Sequence, residues 1–303
     1  MARLNRNDNI YNQQRIIDMK APRKKVTIKT LGEKIARGEK IIGMECHDTP
    51  SAMMAEELGM DLLCVGSPGP MGLFGHKSMN TVEFQEQLYF LEAVLRGAST
   101  PFICCNMPNT TACVSKADAV RNASEIQRRG ADGVHIEPHH KTVKMVEAIV
   151  AAGIPVIGHF GVQGERWSQV GSYLPRGRTA KDAADIVKLI KSCIDAGIST
   201  VLLEHASEEL TKWCYENLSV PVASLGSGPY AHGIFHVSSD IIGCSVFPTP
   251  PKRLPFGNVW QNMKDAYAAY YTAAQSGTYP RAEESHHMQE GEFGKFLDLV
   301  DKP

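Results

Sequence analysis

At 303 residues with 43% apolar content, the chain is long enough for one large core, and a single α/β barrel needs roughly 250 residues. A formal charge of −1 gives no reason to expect nucleic acid or an anionic membrane as partner. No apolar run approaches the ~18 residues of a membrane span, the N-terminus lacks a signal-peptide core, and the eight cysteines form no CxxC pair. Buried, reduced thiols in a cytoplasmic protein are the expectation.

Residues 1–28 are polar and basic, with a Lys24-Lys25 pair, and read as an N-terminal arm, mobile or packed on a neighbouring subunit. Residues 29–303 read as one domain. Thr30 to Gly38 predicts a short helix with a glycine stop. After it, apolar runs and helical patterns alternate. Strands are predicted at Ile41–Glu45, Asp61–Val65, Pro101–Cys105 ending on Asn106, Gly133–Glu137, Pro155–His159, Thr200–Glu204, Val220–Leu225 and Asp240–Val246. Helices are predicted at Pro50–Leu58, Thr81–Arg96, Ser115–Arg129, Lys141–Ala152, Ala180–Ala196 and Ser207–Asn217. A Gly- and Pro-rich loop spans Gly66–His76 and a longer one Phe160–Thr179, suited to a gating lid. The tail is helical from Trp260 and then polar around 283–287. Eight strand–helix alternations with short joins predict an α/β fold, a (β/α)8 TIM barrel with an N-terminal extension and C-terminal helices. An open doubly wound sheet is the alternative, but no dinucleotide fingerprint follows the first strand.

The chemistry concentrates at the strand ends. In Gly133-Val-His-Ile-Glu137, Val134 and Ile136 point one way and His135 and Glu137 the other. A strand covered by helices should be apolar on both faces, so two polar residues on one face need a reason. The pattern recurs: Glu45, Ser67, Asn106, His135 with Glu137, His159, Glu204 and Ser227 each follow an apolar run. One such residue is commonly a satisfied core group. A series from different strands meets at the C-terminal face of a barrel, where such folds keep their active sites. His139 and His140 follow Pro138 and read as loop residues.

Val65-Gly66 with Gly75-His76, Val134-x-Ile-Glu137, Gly158-His159-x-Gly161, Arg176-Gly177-Arg178, Leu203-Glu204, Val220-Pro-Val, Gly277-x-Tyr-Pro280 and Glu283-Glu-Ser-His286 occur in order. In that order and spacing the chain, from about 30 to 288, resembles ketopantoate hydroxymethyltransferase, within the phosphoenolpyruvate mutase and isocitrate lyase type of barrel. The resemblance implies a homo-oligomer that holds a 2-oxo acid as its enolate on a divalent metal, usually magnesium, and adds a hydroxymethyl group from methylenetetrahydrofolate. It puts Glu137 on a metal ligand, Glu204 on the base that removes the C3 proton, and His159 on a substrate contact. It also exposes four departures. Two metal-binding aspartates correspond to Ser67 and Asn106, and the substrate-gripping serine and lysine correspond to Pro68 and His135.

Three readings of the metal follow. Magnesium is held weakly through Glu137, waters and substrate oxygens; a softer ion is held by His135 and Glu137, with His159; or no metal is used, and a protonated His135 with Asn106 and Ser67 forms a donor cluster around an enolate oxygen. The site residues expected from all this are Glu204, His159 and His135 for catalysis, Ser67, Asn106, His135, His159 and Glu45 for substrate, and Glu137 for a metal. The expected activity is aldolase-like: enolisation of a small 2-oxo acid or related carbonyl compound, then hydroxymethyl transfer or its reverse. Lyase or mutase chemistry is the alternative, although the 160–179 loop carries no cysteine. A barrel that only binds a metabolite is the third.

Overall fold

The computed structural model describes residues 23–171, 173–247 and 254–300. Eight parallel strands close into a barrel in sequence order. They are β1 (Ile41–Glu45), β2 (Leu62–Val65), β3 (Phe102–Asn106), β4 (Gly133–Ile136), β5 (Val156–Gly161), β6 (Thr200–Glu204), β7 (Val222–Leu225) and β8 (Gly233–Val237). Alternation sorts their side chains into two apolar layers. Ile41, Leu62, Cys64, Phe102, Cys104, Ile157 and Leu202 fill the interior, while Leu63, Val65, Ile103, Val134 and Ile136 pack outward against the helices. Residues in register with the inner layer but one step further on form the polar layer at the C-terminal end.

The helices begin where short polar side chains can accept orphan N–H groups. Asp48 caps Thr49–Leu58 through Ser51 N–H, Ser115 caps Lys116–Arg128, Thr179 caps Ala180–Asp195 and Ser207 caps Glu208–Asn217. Residues 23–28 of the predicted arm lie against the barrel: Lys25 pairs with Asp132 at 2.6 Å and Arg23 with Asp61 at 3.1 Å. Residues 1–22 lie outside the described residues.

Three sequence expectations are corrected. The eighth strand is Gly233–Val237, not Asp240–Val246. Only the former pairs with β1 along its whole length, from Ile41↔Gly233 to Glu45↔Val237, and so closes the barrel. Asp240 and Ile241 instead belong to a short helix, Ser238–Ile242. Two apolar runs stand close together there, and local pattern does not say which one bonds both edges. The second correction is a helix, Pro68–Phe74, inside the presumed loop 66–76. Proline suits the first helical turn, and burial of Pro70 and Met71 outweighs the poor propensity of its glycines. Third, the helix predicted from Thr81 starts at Phe84, with Met79–Thr81 forming a separate 3-10 turn.

Two compact units are present. The barrel unit runs through Ile241 and includes Ser245–Leu254. The second joins Ile242–Cys244 to the chain from Pro255 onward and contains helices Val259–Gln275 and Glu292–Val300. Within it, Trp260 N–H donates to the Gly243 carbonyl at 3.1 Å. Among the described residues no helix is long and apolar enough to cross a membrane.

Candidate active site

The strand ends meet in a chain of contacts. β3 and β4 place Asn106 beside His135 in register. Asn106 Nδ2 donates to Ser67 Oγ at 3.2 Å and to Glu165 Oε1 at 2.8 Å, and its Oδ1 faces His135 Nδ1 at 2.9 Å. The His135 and His159 rings lie 5.0 Å apart between centroids. His159 Nε2 stands 3.0 Å from Glu204 Oε2, and its Nδ1 stands 3.8 Å from Glu137 Oε1. All of these residues are buried except Glu204, whose side chain is 24% exposed.

The loop after β5 closes this group. Gly161 has φ +91°, and a Cβ there would lie 2.2 Å from the Glu204 carbonyl oxygen, so only glycine lets β5 pass the end of β6. Val162 N–H then donates to that same carbonyl at 2.8 Å. One turn later, Gly164 N–H and Glu165 N–H donate to the two carboxylate oxygens of Glu137, each at 3.1 Å. Gln163 Nε2 fastens the loop to the carbonyls of Pro138 and His159 at 2.9 and 3.0 Å. This turn lowers Glu165 into the polar layer, where its second oxygen accepts Asn109 N–H at 2.7 Å. Further along, Arg176 pairs backbone to backbone with the β6 end and holds Asp182 at 2.6 Å.

Not every strand-end residue joins. Glu45 bonds His47 Nδ1 at 2.9 Å and accepts Ser238 Oγ–H at 3.0 Å, forming a second polar group at the β1–β8 seam. Ser227 is spent on backbone: its hydroxyl donates to the Leu203 carbonyl and accepts Ala206 N–H. His139 and His140 leave the strand face as expected; His140 meets Asp185 at 3.1 Å, and His139 lines a cavity of about 470 Å³ with Asn109, Cys113, Glu165 and Arg166.

Sequence reasoning missed Glu165, His47 and Ser238. The polar residues around Glu165 have no helical or strand period, so no local signal distinguishes it from a solvated loop glutamate. Only the docking of the loop on Glu137 buries it.

Electrostatics set the protonation pattern. Burial, then the nearby Glu165, pushes the Glu137 carboxyl up to about 8, and burial pushes Glu165 up to about 7 against its hydrogen bonds from Asn106 and Asn109. Burial, reinforced by His159, drives His135 well below the ordinary histidine range. Burial acts the same way on His159, yet Glu204 and then Glu137 outweigh it and shift that ring upward from the ordinary histidine value. The two neighbouring imidazoles are therefore shifted in opposite directions. The lowered proton affinity of His135 weighs against the donor cluster expected around its protonated form.

The donor set also fits a divalent metal poorly. Magnesium prefers carboxylate oxygens it can reach, but Ser67 and Asn106 are uncharged and the Asn106 carbonyl is turned to His135. Both oxygens of Glu137 and both of Glu165 already accept N–H groups. Among the described residues, no group of three or more His, Cys, Asp or Glu is placed to hold an ion.

Comparison with known proteins agrees with this architecture. Residues 25–282 match the family model described as ketopantoate hydroxymethyltransferase. The 3-methyl-2-oxobutanoate hydroxymethyltransferase of Ignicoccus hospitalis is 34% identical over 257 residues, covering 85% of this chain and 97% of the relative. That of Emericella nidulans is 30% identical over 287 residues, covering 93% and 81%. Among solved structures, 2,3-dimethylmalate lyase, of the PEP mutase/isocitrate lyase superfamily, superposes with a TM-score of 0.56 at 15% identity, covering 91% of this chain and 99% of its own. Phosphonopyruvate hydrolase in complex with oxalate and Mg++ gives 0.58 at 12% identity, covering 91% and 96%.

Proposed function

This chain belongs to the ketopantoate hydroxymethyltransferase family, and on that footing we propose that it is an aldolase-like enzyme. It enolises a small 2-oxo acid or related carbonyl compound and joins the enolate to a one-carbon unit, or runs the reverse. The observation that carries this reading is the contact of Glu204 with His159 at 3.0 Å in the closed polar layer. A carboxylate is the right base for a proton next to a carbonyl once water is excluded. In the proposed step Glu204 takes that proton and becomes neutral, while His159, acting in its protonated form, faces the negative charge growing on the carbonyl oxygen. The enolate carbon then attacks a carbonyl-type one-carbon donor such as formaldehyde. As the carbon–carbon bond forms, the donor's C=O π pair moves onto its oxygen, which takes the proton back from Glu204 and regenerates the carboxylate.

Magnesium and methylenetetrahydrofolate enter only through the family. No step here is routed through the metal, because the donor set described above does not suit it. A homo-oligomer is supported by the β1–β8 seam, where paired Ile42 and Ile234 are exposed on the outer face, an apolar stripe of the kind a second copy covers. Light scattering on the purified chain checks it, and a monomer at micromolar concentration would count against it.

The activity test is proton NMR in D₂O on a panel of 2-oxo acids and hydroxy-ketones, followed by addition of formaldehyde or methylenetetrahydrofolate as donor. Wild type is expected to exchange the proton next to the carbonyl, and Glu204→Gln to lose that exchange while keeping its melting temperature. Equal exchange by both proteins would remove Glu204 from the role of base.

A further inference from the structure

Beside Glu165, three loops at the C-terminal end of the barrel enclose a cavity of about 470 Å³, a size that suits a small molecule. Asn109 and Cys113 come from the connection after β3, Lys141 from that after β4, and Arg166, Ser168 and Gln169 from that after β5. Glu165, the one acid among its described lining residues, is buried. One of its oxygens accepts Asn106 Nδ2 and the other Asn109 N–H. The cavity thus lies outside the polar layer and shares Glu165 with it.

Its cations have no counter-charge. Among the described residues, no carboxylate oxygen lies within 4.0 Å of Lys141 Nζ or of the Arg166 guanidinium. Arg166 donates instead to the neutral Oε1 of Gln169. Burial disfavours its charged form, yet a guanidinium stays protonated, so an arriving anion relieves that cost. The uncommitted polar groups are donors as well. Asn109 Oδ1 accepts the Cys113 thiol at 3.5 Å, and Gln169 Oε1 is taken by Arg166. Among the described residues, neither side-chain NH₂ group has a partner. Two cations and two amide NH₂ groups call for a ligand rich in acceptor oxygens. A phosphoryl group carries close to two charges at neutral pH and three such oxygens. The guanidinium fork matches two of them, and lysine adds a point charge. A carboxylate, with a single charge, leaves one of the two cations unmatched.

We propose that this cavity is a second binding site, which takes the phosphate group of a small phosphorylated metabolite between Lys141 and Arg166. Lys141 follows β4 and Arg166 follows β5. A phosphate held by both ties together the connections that leave Glu137 and carry Glu165. Its bound state is then linked to the order of the loop that closes the polar layer.

The test uses the full chain in chloride buffer of fixed ionic strength, with glycerol phosphate and malonate as probes and binding measured by calorimetry. Glycerol phosphate is expected to bind with a dissociation constant below about 1 mM, and malonate more weakly. Lys141→Gln combined with Arg166→Gln should weaken glycerol phosphate at least about tenfold, since two charged donors are lost. Lys141 is exposed and Arg166 half-buried, and circular dichroism checks the fold of the variant. The bound probe should also slow alkylation of the half-buried Cys113, followed by mass spectrometry, and hydrogen exchange at residues 163–169. No binding at about 10 mM, undiminished binding by the double variant, or malonate binding as tightly overturns the proposal. Loss of phosphate binding in Glu204→Gln, or unchanged alkylation of Cys113, would place the ion elsewhere and overturn it too.

Discussion

The Asn106 side-chain amide donates to Glu165 Oε1 across 2.8 Å, linking a strand end to a loop carboxylate 59 residues later in the chain. An uncharged amide and a buried acid thus sit together at the β3 end, and four expectations follow from how they and their neighbours are held.

The first concerns pH and stability. Burial raises Glu165 from its ordinary 4.5 to about 7, and raises Glu137 further. A carboxyl raised on folding stabilises the fold fully below its unfolded value and loses that contribution as pH rises through the folded value. Unfolding free energy should therefore fall between about pH 5 and pH 8, with Glu165 alone contributing up to about 3 kcal/mol of the fall. Urea melts across that range should show a flatter slope for Glu165→Gln. An unchanged slope would mean that Glu165 is ionised in the fold.

Loop order is the second. Glu137 accepts the N–H groups of Gly164 and Glu165 together, whereas a glutamine can accept only one and directs an NH₂ at the other. Glu137→Gln should speed hydrogen exchange at residues 162–166 about tenfold or more, the equivalent of losing about one hydrogen bond. Strands β1 to β3 should exchange as before. Unaltered exchange in the loop would show that Gln163 and the Val162 amide hold it without Glu137.

Metal affinity is the third. Ser67→Asp combined with Asn106→Asp returns two charges to the positions that resemble the family's ligands. Magnesium affinity measured by calorimetry should rise at least about tenfold over wild type, since each added carboxylate is a large local attraction for a dication. The same change should cost about 2 kcal/mol of stability without metal, because like charges then crowd Glu165. A double variant that binds magnesium no better than wild type would mean the ligand positions lie elsewhere.

The fourth is the passage beside Glu204. In Gly161→Ala the new methyl carbon meets the Glu204 carbonyl at 2.2 Å in a backbone with φ +91°. A loss of about 3 kcal/mol in denaturant midpoints is expected, from overpacking plus a left-handed alanine. Gly171→Ala, also at positive φ but with nothing within 4 Å, should lose only about 1 kcal/mol. Similar losses at the two sites would leave backbone strain, not the contact with β6, as the cause.

The barrel was legible in the order of its apolar runs. Seven of the eight strands lie where short apolar stretches end in a polar residue, because a strand buried on both faces must be apolar until it reaches the solvent end. Helices were legible at Pro50–Leu58, Ser115–Arg129, Ala180–Ala196 and Ser207–Asn217, and in the structure each starts from a side chain that accepts an N–H group three residues on. Candidate residues such as Asn106, His135, His159 and Glu204 could be named from the same pattern, since alternation alone puts them on the inner face.

What only the tertiary structure decided depends on partners distant in sequence. The closing strand is Gly233–Val237 because it bonds β1 nearly two hundred residues earlier, a choice invisible to local pattern. Glu45 joins His47 and Ser238 instead of the central group because that closure carries Ser238 over the β1 end. Glu165 becomes a buried acid only because the loop's own N–H groups dock on Glu137. Amino-acid types and their spacing determine which side chains reach the end of a barrel strand. Which of those side chains share a proton, a hydrogen bond or a substrate is set by distances between elements, and those exist only once the chain has closed.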